Sequence, residues 1–193
     1  VSAWAHVTWY TARAGGYTAF LLLTASVCLG LALSFKLASP RWPRFLTTEL
    51  HRYVTLTAIG FAVLHGLALW ADPWEAFPVS ALVVPMDSHY RPLAVALGIV
   101  SLYLAIALWL SSRIQRRIGY PTWRRLHYLT YAVFALAATH TILAGEDAHT
   151  AWGRGIDWGA VALVAGLTVL RIGYGRRGRQ RHAARTVRAG ASA

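Results

Sequence analysis

Long apolar stretches alternate along the chain with short polar connections marked by proline. Five stretches, near 15–35, 53–71, 93–110, 126–144 and 156–174, match the roughly 20 residues that a helix needs to cross about 30 Å of hydrocarbon at about 1.5 Å per residue. Pro40 and Pro43, then Pro73, Pro78 and Pro85, then Pro121, fall in the connections, where a helix cannot readily continue. The pattern predicts an all-α integral membrane bundle of five transmembrane helices.

Composition agrees. Of 193 residues, 56% are hydrophobic and 13% charged, and the mean hydropathy is +0.44, which excludes an ordinary soluble domain. The length suits one unit, too short for a membrane domain together with a full flavin- or nucleotide-binding domain. The expected division is a membrane domain over 1–175 and a basic, disordered tail over 176–193. The first apolar run is too long for a signal-peptide core and reads as a true span. Cys28 has no possible partner within the chain and reads as core filler.

A net charge of +12 would suggest nucleic acid in a soluble protein, but here the charges sort by connection. Of 19 Lys and Arg residues, 16 lie around the first loop, the third loop and the tail; only Arg13, Arg91 and Arg154 lie on the other side, with most of the carboxylates. Basic residues near span ends stay in the cytoplasm, so the amino terminus is expected outside and the carboxyl terminus inside the cell (plasma or inner) membrane. The tail then serves orientation and lipid contact, not nucleic-acid binding. Trp42, Trp70, Trp74, Trp109, Trp123, Trp152 and Trp158 near span ends read as interfacial anchors without a catalytic role.

Two spans share one feature. His51 and His65 lie in the second and His127 and His140 in the fourth, 14 and 13 residues apart, or about 21 and 20 Å along a helix. Both spans run in the same direction, so His51 meets His127 at one depth and His65 meets His140 at another. An ionisable side chain inside a membrane needs a partner or a wet cavity, and imidazole offers one neutral nitrogen to a metal while the other donates a hydrogen bond. The set reads as axial ligands for two bis-histidine haems. A zinc site is disfavoured, because ligands this far apart on one helix cannot share a tetrahedral ion. The macrocycle also needs space beside its ligands; Gly60 and Gly66 flank His65 in sequence and are candidates to allow its close approach, although small residues equally promote ordinary helix packing. At about 100° per residue, 14 steps end about 40° from the start and 13 steps about 140° away, so the fourth span needs a crossing angle, a local change of winding, or haems approached from different sides. His6, His89, His149 and His182 read as surface residues.

The segments "ELHRYVTLTAIGFAVLHGLAL" and "WRRLHYLTYAVFALAATHTILAGED" resemble the ferric-reductase-like transmembrane family, which includes NADPH oxidases, ferric reductases and the haem subunit of bacterial methionine sulfoxide reductase. The resemblance implies a transmembrane electron conduit with two haems b, the inner held by His51 and His127 and the outer by His65 and His140. Family members with cytoplasmic flavin and NADPH domains differ from this chain, so the donor is expected to be a separate flavoprotein, a flavin or a membrane quinol. The acceptor on the outer side is ferric iron, oxygen or a partner protein. Arg13 at the outer end, and Arg124 with Arg52 and Arg125 at the inner ends, stand where propionates need cations. With both axial positions filled, no catalytic residue is expected in the chain, and transfer would leave from an exposed haem edge. Two other classes compete: a histidine-based transporter or proton relay, which predicts acidic residues within the spans, and a noncatalytic membrane assembly subunit.

Overall fold

A computed structural model describes the backbone of residues 3–35, 43–73 and 77–191, and the side chains of 6–35, 43–73 and 77–175. The expectations for Trp42 and Trp74 fall outside the described residues. The described chain is all-helical: α1 (Ala3–Ser34), α2 (Arg44–Trp70), a short α3 (Val79–Val83), α4 (Pro92–Arg113), α5 (Gln115–Ile118), α6 (Tyr120–His127), α7 (Thr130–Ala144), a 3₁₀ turn (Glu146–His149) and α8 (Ala151–Ala191). Five segments are long and apolar enough to span a membrane: His6–Ser34, Arg44–Trp70, Pro92–Arg113, Tyr120–Ala144 and Ala151–Gly175. Each runs past its apolar stretch, because helical hydrogen bonding continues through polar end residues that hydropathy excludes. Beyond Gly175 the backbone of α8 continues helical to Ala191, where composition predicts an irregular tail.

Helix boundaries follow proline and glycine. Pro43, with ψ 151°, precedes α2, and Pro92 sits in the first turn of α4 after Arg91, whose φ of 40° is left-handed. Gly119, at φ 80°, separates α5 from α6. Such a φ suits glycine, which lacks the Cβ that would clash there.

Packing defines a ring. α1 lies along α2, α4 lies along α7, α1 also touches α7, and α2 also touches α4, so α2 and α7 stand on the diagonal of a four-helix frame. α8 packs outside that frame against α1 and α7. A cluster of Phe20, Phe134, Ala138, Ala160 and Val164 joins these three helices, with Phe20 and Phe134 stacked at 5.9 Å. Small side chains in this cluster permit close helix approach, which is how membrane helices gain packing energy without a hydrophobic driving force between them.

Two arginines pin one end of the bundle. Arg91 donates to the Leu143 carbonyl and Tyr90 donates its hydroxyl to Ala144 O at 3.2 Å, so the loop before α4 satisfies the last carbonyls of α7. Arg13 of α1 makes a two-pronged ion pair with Asp147 of the 3₁₀ turn. These ties fix α4 and α1 against the same end of α7.

Candidate functional site

The frame brings the four histidines together in twos. The ring centres of His51 and His127 lie 6.3 Å apart with planes at 76°, and those of His65 and His140 lie 6.4 Å apart at 72°. Two imidazoles bound on opposite sides of one ion, each through a metal–nitrogen bond of about 2 Å, put their ring centres about 6.3 Å apart. Both pairs have that separation. Among the described residues, no group of three or more His, Cys, Asp or Glu side chains could hold a metal ion, so any metal chemistry here begins with two protein ligands.

Three rings are oriented in the same way. His65 Nδ1 donates to Ala12 O at 2.7 Å, His140 Nδ1 to Ala94 O at 2.7 Å, and His51 Nδ1 to Ser26 O at 2.9 Å. Donation from Nδ1 fixes the tautomer and leaves Nε2 with a free lone pair, the form in which imidazole binds a metal. Each accepting carbonyl lies four residues before a glycine that faces the same ring. A Cβ on Gly16 would be 3.1 Å from His65 Nδ1, one on Gly98 would be 2.8 Å from His140 Cε1, and one on Gly30 would be 3.5 Å from His51 Cε1. A helical carbonyl already accepts from the amide four residues on, and the side chain there covers its remaining lone pair. Glycine leaves that lone pair open. The result is a socket of carbonyl and bare Cα, repeated at Ala12/Gly16, Ser26/Gly30 and Ala94/Gly98.

His127 departs from this pattern. Its Nδ1 is buried without a hydrogen-bond partner, and its ring stacks on Trp123 at 4.8 Å and 27°. The Trp123 indole in turn donates to Ser112 Oγ of α4 at 3.2 Å.

A cavity of about 320 Å³ surrounds the His65/His140 pair. Its walls include Phe20, Leu23, Ile59, Leu102 and Val133, and Arg13, Asp147 and Tyr17 also line it. The residues present fit a haem: paired ligands at the right separation, oriented Nε2 atoms, glycine faces that admit the rings, and an apolar chamber with a cation on its wall. Arg13 lies between Trp9 and Trp152, 4.6 and 5.9 Å from their ring centres, and its guanidinium fork is engaged by Asp147. Any anion at Arg13 therefore shares it with that carboxylate. At the other end Arg124 is exposed and approaches Tyr128, which Arg171 of α8 also reaches. Arg125 is exposed as well, and Arg52 pairs with Glu49 at 2.9 Å.

Several sequence expectations change. The fourth span does leave regular winding: it breaks between α6 and α7, where Tyr128, Leu129 and Tyr131 make tight bonds to residues three back. Each such step adds about 20° over an α-helical step, the direction that a 13-residue separation requires. A Cβ on Gly60 or Gly66 meets no protein atom within 4 Å, and Gly66 lines the cavity, so neither is what lets the imidazole rings approach a neighbouring helix. That role belongs to Gly16, Gly30 and Gly98 on the neighbouring helices. Trp123 is part of the site, not only an interfacial anchor. Asp157, which falls within the predicted fifth span, sits inside Ala151–Gly175, 1% exposed, with neither oxygen hydrogen-bonded, and the buried Tyr17 hydroxyl also has no hydrogen-bond partner.

Spans of membrane-crossing length with histidines meeting in twos across the diagonal define a helical membrane protein with two candidate histidine centres. More particularly, residues 15–138 match the family described as ferric reductase like transmembrane component, and the chain belongs to that family. The family supports a membrane electron-transfer role. Among curated proteins, the chain is similar to the magnetosome protein MamZ of Paramagnetospirillum magneticum, 38% identical over 97 residues, and to MamZ of Magnetospirillum gryphiswaldense, 36% identical over 97 residues. Each match covers 49% of this chain and 14% of the relative, so the chain spans a small part of those proteins' length. No solved structure matches.

Proposed function

We propose that this chain is a di-haem b-type electron conduit that moves electrons from a cytoplasmic or membrane donor to an acceptor on the outer side. The carrying observation is the separation of the two histidine pairs, 6.3 and 6.4 Å between ring centres. His51 with His127 hold the inner group and His65 with His140 the outer one; the orientation rests on the charge asymmetry of the connections. A haem held this way supplies one-electron chemistry. The chain's part is to present Nε2 from both sides, to fix three of the rings by donation to backbone carbonyls, and to line the outer group with apolar side chains that keep water away. Arg13 orients a carboxylate edge at the outer mouth and Arg124 does so at the inner end. The donor is a flavoprotein, a flavin or a quinol, and the acceptor ferric iron, oxygen or a partner protein. The membrane is the plasma or inner membrane.

The test is the visible spectrum and haem stoichiometry of the purified full chain. Two reducible haems per chain, one lost on His65→Ala or His140→Ala and the other on His51→Ala or His127→Ala, is the expected result. A folded, colourless protein would reject the reading.

A further inference from the structure

The two histidine pairs differ in how their rings are held, and the difference is confined to His127. Along α1 the two accepting carbonyls, Ala12 and Ser26, are 14 residues apart, matching His65 and His51 on α2. Along α4 the first acceptor is Ala94, facing His140, and the same 14-residue count reaches Leu108. Four residues after Leu108 stands Ser112, where the other sockets have glycine. The Leu108 carbonyl accepts from the hydroxyls of Ser112 at 3.0 Å and Ser111 at 2.7 Å. Its spare lone pair is already used. The fourth socket is therefore closed by serine, and the buried Nδ1 of His127 has no partner.

What faces His127 instead is Trp123, one helical turn earlier on α6. Its ring lies nearly parallel to the imidazole at 4.8 Å, and its indole N–H bonds to Ser112 Oγ, so the residue that closes the socket also fixes the stacking partner. We infer that Trp123, anchored on Ser112, is the positioning residue for His127, setting by ring stacking the orientation that backbone carbonyls set for the other three histidines. The inference rests on the haem reading and deepens it. Stacking constrains the plane of a ring but makes no hydrogen bond to Nδ1, so a group held by His51 and His127 would have one hydrogen-bonded imidazole where a group held by His65 and His140 would have two.

The test uses full-length protein in lipid nanodiscs and low-spin ferric electron paramagnetic resonance, which reads the mutual orientation of the two imidazoles at each iron. His127→Ala and His140→Ala assign the two signals. The wild type is expected to show two distinct signals. Trp123→Leu should shift or abolish the His51/His127 signal and leave the other unchanged, the unchanged signal reporting that the bundle is folded. Trp123→Phe, which keeps a ring, should retain both haems, with a smaller shift of the same signal; Ser112→Ala, which frees the indole, should shift it in the same sense as Trp123→Leu. Both signals unchanged in Trp123→Leu, or both lost, would overturn the inference while leaving the two-haem reading standing on the wild type. A wild type without haem would overturn both.

Discussion

Gly98 and His140 are in closer register than any side chain at position 98 would allow, since a Cβ there would lie 2.8 Å from two ring atoms. The ring can yield only by leaving Ala94 O, to which it donates at 2.7 Å. Gly98→Ala should therefore displace His140, cost about 1–3 kcal/mol as an overpacked site, and lower haem content from two to one per chain by pyridine haemochrome assay. Gly60→Ala is the control: its Cβ meets nothing, and replacing a mid-helix glycine should be neutral or stabilising by up to about 1 kcal/mol. Equal haem loss in both variants would dissolve the distinction between them.

Arg13 and Asp147 form an unequal pair, the arginine side chain 33% exposed and the aspartate 4%. Removing the arginine strands a buried carboxylate. Arg13→Met should lower stability by about 2 kcal/mol, less than for a fully buried pair because water reaches the guanidinium. Adding Asp147→Asn should recover most of the loss. Thermal unfolding in detergent measures both, and a double variant no better than the single one would show that the pair is not what Arg13 supports.

Asp157 and Tyr17 carry buried polar atoms without hydrogen-bond partners. An unsatisfied buried group costs free energy, so replacing it by a less polar group of the same size should not. Asp157→Asn and Tyr17→Phe are each expected to leave the melting temperature unchanged or raise it, by about 1 kcal/mol in stability. A clear fall would mean that the carboxyl or the phenol has a partner in the membrane-embedded protein.

The five spans and the four histidines were legible because both are properties of single segments: apolar length, and two imidazoles a fixed number of residues apart. Even the irregular fourth span followed from counting, since 13 residues at helical pitch cannot return both rings to one face. The sockets were not legible. Gly16, Gly30 and Gly98 gain their meaning from rings on other helices, and the register of α1 on α2 or α4 on α7 is a tertiary fact. Gly60 and Gly66, near His65 in sequence, have no protein atom within 4 Å of a Cβ, and Gly66 opens onto the cavity beside that ring. Asp157 falls within the predicted fifth span, but its burial without a hydrogen-bond partner is likewise a tertiary fact. A tryptophan at a span end looks interfacial until it is seen stacked on a candidate site residue, as Trp123 is on His127.

α1 receives hydrogen bonds from both histidines of α2, at Ala12 and at Ser26, and is tied at one end through Arg13. A slide of α1 by one residue, about 1.5 Å, would pull both carbonyls off their imidazoles together. α1, which carries none of the four histidines, thus acts as a common yoke. Neither depth of the bundle can be retuned by moving it without disturbing the other, and α4, which meets His140 through Ala94 O and Trp123 through Ser112 Oγ, is likewise tied at both depths.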